Sequence, residues 1–101
     1  MDIGTRIKEL RTNNNYKSGE FANLLGISSV FLSYIENGTK KPSYDTLEKI
    51  CAVLNITLSD FFNEGTEPIA LTPELKELLE NAKELTPEQL VKLAEFIKTL
   101  K

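Results

Sequence analysis

The chain contains no histidine. That removes at once the commonest general base and the commonest metal ligand. A single cysteine, Cys51, leaves no partner for an intramolecular disulfide and too few thiolates for a Cys-cluster metal site. Strand signals are missing as well, because apolar residues recur at helical spacing almost throughout. No apolar run approaches the roughly 18 residues of a membrane helix. The opening Met-Asp-Ile-Gly-Thr-Arg lacks the charged-then-apolar layout of a signal peptide. There is no Gly-rich phosphate loop, and no pair of carboxylates falls in an evident pocket. No enzyme, catalytic residue, metal or cofactor is therefore expected. The expected location is the cytoplasm, with no membrane partner.

What is present reads as globular and helical. With 41% apolar and 27% charged residues, a chain of 101 residues suits one small domain with an appendage. Net charge is −3, which at first argues against nucleic acid, but it is unevenly placed. Residues 1–62 hold seven Lys/Arg and seven Asp/Glu, whereas 63–101 hold five Lys and eight Glu. All the excess acidity lies in the second part. Fields at a DNA surface are local, screened over about 8 Å at physiological salt, so a neutral first domain with a few placed cations can bind a duplex, and should bind arbitrary duplex weakly.

The periodicity predicts seven helices. The first spans Ile3 to Thr12, with Ile3, Ile7 and Leu10 inward and Arg6, Lys8 and Glu9 turned away, and Asn13-Asn14-Asn15 stops it. The second runs from Ser18 to Leu25 and ends at Gly26. Ser28 caps a third, Ser29 to Asn37, closed by Gly38. Ser43 caps a fourth, Tyr44 to Leu54, which buries Leu47, Ile50, Cys51 and Leu54. Among these neighbours Cys51 reads as a buried small hydrophobe rather than a redox switch. A short fifth helix, Leu58 to Phe62, seals the core. Residues 63–71 read as a linker. Leu71-Thr72-Pro73-Glu74 then returns as Leu85-Thr86-Pro87-Glu88. Each places Thr at N-cap, Pro at N1 and Glu in the first turn, predicting helices Pro73 to Lys83 and Pro87 to Leu100 folded as a hairpin over 72–101.

One window carries more than periodicity. Counted from Ser18, Phe21, Ala22, Leu25, Gly26, Ile27, Leu32 and Ile35 fall where two crossing helices need apolar faces, a small residue at the crossing and a permissive turn. This window, roughly Ser18 to Gly38, reads as a helix-turn-helix. With Leu-Leu-Gly-Ile-Ser-Ser, Ser-Tyr-Ile-Glu-Asn-Gly-Thr-Lys-Lys-Pro-Ser and Leu-Glu-Lys-Ile-Cys-Ala-Val-Leu-Asn-Ile beside it, the segment 3–62 resembles the Xre/Cro, lambda-repressor-like family. The resemblance implies an all-α fold, with a five-helix DNA-binding domain in residues 1–62 followed by the two-helix C-terminal hairpin. It also implies operator binding. It matches Arg11 and Glu36 to a pair that joins helix one to the end of helix three, read as a structural clamp in preference to a solvated surface pair. The family usually opens helix two with a Ser or Thr cap and then Gln. Lys17 and Ser18 stand at those positions here.

In such a motif the third helix enters the major groove. Ser29, Val30, Ser33 and Tyr34, with Phe31 at the flank, are the candidate base contacts. For Phe31 and Tyr34, packing against the domain itself competes. The set lacks Arg, Gln and Asn, so an A/T-containing half-site read partly by apolar contact and shape is expected. Lys17, Ser18, Ser28, Asn37, Thr39, Lys40 and Lys41 are candidate backbone contacts.

The hairpin shows apolar stripes, Leu75, Leu78 and Leu79 on one helix and Leu90, Leu93, Ile97 and Leu100 on the other. Two short helices bury one seam and leave apolar surface. That surface can pack on the first domain or on a second chain, and the linker and acidic outer faces favour a second chain. The layout resembles Sin-type repressors, whose hairpin serves multimerisation and capture by an antagonist. The expected partners are thus double-stranded DNA, a second copy in a homodimer over a near-palindrome, and an antagonist protein at the hairpin. The function expected is transcriptional regulation, as a repressor. The competing reading is an antitoxin or antagonist acting mainly through protein contacts.

Overall fold

The computed structural model describes residues 2–63 and 73–99. Along these residues seven α-helices follow one another: α1 Ile3–Asn13, α2 Ser18–Leu25, α3 Ser29–Glu36, α4 Tyr44–Leu54, α5 Leu58–Phe62, α6 Pro73–Glu80 and α7 Pro87–Thr99, with a 3₁₀ turn at Ala82–Glu84. The described residues form no strand and no helix long and apolar enough to cross a membrane. Most of the proposed linker, with Thr72 and Leu100, lies outside the described residues.

Helix starts are fixed by side chains that satisfy otherwise orphaned amides. Asp2 accepts from the Gly4 amide at 3.2 Å, Ser28 from Phe31 at 3.0 Å and Ser43 from Thr46 at 3.2 Å. Thr57 and Asp60 close a reciprocal box on α5 at 3.0 Å each way. Thr86 and Gln89 do the same on α7 at 2.9 and 3.2 Å. Lys17 has no acceptor to offer. The start of α2 is held only by Glu20, whose Oε1 accepts from the Lys17 amide at 3.4 Å.

Three helix ends differ from the sequence pattern, the first being α1, which continues one residue to Asn13. Asn37 ends α3 as its C-cap. The expected helix through Lys83 breaks after Glu80, where the Asn81 side-chain amide donates to the Glu77 carbonyl at 3.0 Å. Asparagine competes with the backbone in this way, and the chain tightens into the 3₁₀ turn that sets fully buried Ala82 in the core.

Arg6 requires a correction. Its helical phase turns it outward, yet it is buried. Its guanidinium donates to the carbonyls of Phe61 at 2.7 Å, Asp60 at 3.0 Å and Asn63 at 2.9 Å. These carbonyls lie at the end of α5 and its C-cap Asn63, where a short helix leaves carbonyls in need of donors; the Asp60 carbonyl accepts from the Asn63 amide as well, at 3.2 Å. A cation at a helix C-terminus is also favourably placed in the dipole field.

The core of the described residues is one cluster. Ile7, Phe21, Leu32, Ile35, Leu47, Ile50, Phe61 and Phe62 are fully inside, with Phe61 edge-on to Phe62 at 5.3 Å. Leu75, Leu79, Ala82, Leu90, Leu93, Ala94 and Ile97 belong to the same cluster, and the 3₁₀ turn packs on α4. The sequence pattern favours a second chain over the first domain as the cover for the hairpin stripe. Here Leu75, Leu79, Leu90, Leu93 and Ile97 are covered within a single chain, because the first domain offers the nearest apolar wall. Each such burial is worth about 1.5–3 kcal/mol. Leu78 and Phe96 are left exposed.

Candidate nucleic-acid interface

The reading head is built from below. Ala22, almost fully buried, lets α2 and α3 cross closely, and Gly26 turns between them at φ +72°. Leu32 and Ile35 anchor the inner face of α3. From the other side α1 comes so close that a Cβ on Gly4 would sit 2.7 Å from the Glu36 carbonyl oxygen and closer still to that of Ile35. The end of α3 is therefore seated directly on the backbone of α1.

An ion pair fixes the same end. Arg11 Nε donates to Glu36 Oε2 at 2.8 Å and its Nη2 to Oε1 at 3.1 Å, a two-pronged grip. Its remaining prong reaches the Tyr16 carbonyl at 2.9 Å. The two side chains are only 11% and 9% exposed. In that setting a bidentate, charge-assisted pair is strong and geometrically specific.

The outer face of α3 is open. Ser29, Val30, Phe31, Ser33 and Tyr34 are all exposed, with Val30 at 58%, Tyr34 at 42% and Phe31 at 37%. Phe31 and Tyr34 thus divide between packing and solvent. The described part of the chain's own hairpin leaves this face uncovered. Ser28 contributes its hydroxyl to the cap, so the first amides of α3 point outward beside it.

The loop after α3 is prearranged. Gly38 takes φ +84°. The Asn37 side chain accepts from the Thr39 amide at 2.9 Å and from the Thr39 hydroxyl. The Lys40 amide donates to the Tyr34 carbonyl at 3.0 Å. Asn37 and Thr39 are occupied with each other, which shapes the loop that presents Lys40 and Lys41. Lys17, Ser18, Ser28, Asn37, Thr39, Lys40 and Lys41 are all exposed. Lys41 Nζ stands 3.7 Å from Glu88 Oε1 of α7. Beside it a cleft of about 330 Å³ separates the α1 start and this loop from Val91, Glu95 and Lys98 of α7.

Cys51 is inside the α4 face and free. Burial, helped by Asp60 and Glu48, pushes its thiol up to about 11, which keeps it protonated and unreactive. Three contributors escaped the sequence reading: Gly4, Arg6 and Glu88. Only Gly4 left a trace, as a glycine inside a helical pattern, which often marks close packing.

The helix-turn-helix family model matches residues 7–61, more than half of the chain. The transcriptional regulator SinR of Bacillus licheniformis is 38% identical over 66 residues, 64% of this chain and 60% of that protein. The antitoxin PezA of Streptococcus pneumoniae is 39% identical over 62 residues, 61% of this chain and 39% of that protein. The matched stretches thus span less than two thirds of these relatives. A solved SinR/SinI protein complex contains a chain similar over 96% of this one and 95% of its own length, at TM-score 0.56 and 30% identity. With its helix-turn-helix described from α2 to α3 and its model match covering the core of the first five helices, the chain belongs to the Xre, lambda-repressor-like helix-turn-helix family of DNA-binding transcriptional regulators.

Proposed function

We propose that the protein reads a specific operator with α3 and represses transcription by occupying it. The observation that carries this reading is the exposed face of Ser29, Val30, Ser33 and Tyr34 on a helix clamped at its far end by Arg11 and Glu36. Rigid presentation is what base readout needs, because a wandering helix loses ordering entropy on every encounter. Val30 and Phe31 suit thymine methyl groups, and the serines give or accept one hydrogen bond, so the half-site contains A·T pairs. Ser28, Ser18, Lys17 and the Asn37–Lys41 loop contact phosphates and set register. The site of action is the cytoplasm.

The operative unit is a homodimer on a near-palindrome, with reading helices about 34 Å apart. Among the described residues, Leu78 and Phe96 are the large apolar side chains of the hairpin open to a partner. An isologous contact there brings two hairpins together. A similar chain occurs in a complex of two proteins, which supports an antagonist at the same hairpin. Selection of bound duplexes from a random pool tests the reading. Enrichment of paired, A·T-containing half-sites is expected, and retention of all sequences alike refutes it.

A second reading follows from the antitoxin relative: the same domain with the hairpin engaging a toxin. Leu78→Glu combined with Phe96→Glu separates the two. In the regulator it lowers dimer mass and operator affinity together, and in an antitoxin it abolishes toxin neutralisation while DNA binding persists.

A further inference from the structure

We propose that α7 is an electrostatic brake on the DNA clasp: Glu88 holds Lys41 in the free protein, and a DNA phosphate must displace it. The inference rests on the DNA-binding reading above.

The charges involved converge on one place. Lys40, Lys41 and Lys98 line the cleft between the loop after α3 and α7, together with Asp2 and Glu95, and Glu88 meets Lys41 at 3.7 Å. The backbone that carries these carboxylates is not free to withdraw. Leu90, Ala94 and Ile97 of α7 are fully buried, so the helix that carries Glu88 and Glu95 is seated. The clasp is equally fixed, with Pro42 buried and Lys40 tied to Tyr34. A phosphate that reaches Lys41 therefore arrives beside Glu88, and the attraction of the cation is partly cancelled.

The pair is also made to exchange. Glu88 is 77% exposed and Lys41 50%, so each is already hydrated. Glu88 lies in the first turn of α7, where the helix amides favour an anion. Giving up Lys41 does not strand it. Exposed pairs of this kind are weak, and the brake they make is correspondingly mild, about two- to fivefold in affinity.

The consequence is coupling. Binding free energies are reciprocal. If seating of α7 weakens DNA binding, DNA binding loosens the seating of α7 by the same factor, and lifting α7 off the first domain frees Lys41 within each protomer, apart from its effect on the dimer.

A double-mutant cycle tests this by fluorescence anisotropy at low salt, on a duplex recovered by selection. Glu88→Gln keeps the shape and removes the charge. It is expected to tighten binding about two- to fivefold and to steepen the salt dependence, while Lys41→Gln weakens binding. In the Lys41→Gln background, Glu88→Gln is expected to tighten binding by a clearly smaller factor, since only the direct repulsion between Glu88 and phosphate remains to be removed. Unchanged affinity of E88Q alone overturns the brake, and so does equal tightening in both backgrounds, which would be an effect of net charge. A wild-type chain that binds no duplex overturns the DNA reading and the brake with it.

Discussion

Replacing Arg11 by Met isolates the energetics of the clamp. The mutation leaves the Glu36 carboxylate, 9% exposed in its side chain, without the two prongs that neutralise it. Removing one partner of a buried pair costs about 3–5 kcal/mol, because the survivor keeps its desolvation penalty. The pair lies at the edge of the core and the relieved carboxylate can turn toward solvent, so we take about 2–3 kcal/mol, below that range. For a domain of this size one kcal/mol shifts the midpoint by about 4–8 °C, so Arg11→Met is expected to lower Tm by roughly 8–24 °C. Glu36→Leu should cost less, since Arg11 retains the Tyr16 carbonyl at 2.9 Å. The double variant, Arg11→Met with Glu36→Leu, buries two apolar groups in place of two ions and should recover at least half of the loss. Urea denaturation followed by circular dichroism measures all three. Additive losses, or an Arg11→Met cost below about 0.5 kcal/mol, the range of an exposed pair, would refute the reasoning that the pair is desolvated and holds α3 in place.

Three further outcomes follow from geometry. Gly4→Ala drives a methyl group into the Ile35 and Glu36 carbonyls, and should destabilise the fold by about 1–3 kcal/mol in the same urea experiment. Gly19→Ala meets nothing within 4 Å; it should stabilise α2 by about 0.5–1 kcal/mol, and any accompanying loss of operator affinity would mean that DNA backbone approaches this glycine closely. Cys51, with its thiol pushed up to about 11 by burial, should react with a thiol reagent at neutral pH only through opened forms, so the rate should rise steeply with denaturant and stay far below that of the unfolded chain.

The first five helices were legible because their signals are local. Ser28 and Ser43 announce their helices, Gly26 ends α2, and the spacing of Phe21, Ala22, Leu25, Leu32 and Ile35 already encodes the crossing of α2 and α3. What escaped depends on partners distant in sequence. Nothing near Arg6 indicates that three carbonyls more than fifty residues away need a donor. Periodicity assigns it outward because an arginine on a helix flank ordinarily faces water. The hairpin shows the same limit. Its stripe specifies that Leu90 and Ile97 must be covered, but an apolar stripe does not encode which surface covers them, and in this chain the first domain does. The break after Glu80 falls at one asparagine, whose side chain donates to the Glu77 carbonyl beside its own backbone amide. The candidate DNA face was readable for the opposite reason: its residues are the ones on α3 that the packing does not need.

The grip of Arg6 on the carbonyls of Asp60, Phe61 and Asn63 has a mechanical meaning. It works as a strain relief, like the collar where a cable leaves its housing. Tension on the chain beyond Asn63 is passed into the middle of α1 instead of peeling α5 from the end, and α1 is the helix whose other arginine steadies α3. A load carried by the segment that follows Asn63 meets the strut of the reading head before it can peel α5 away.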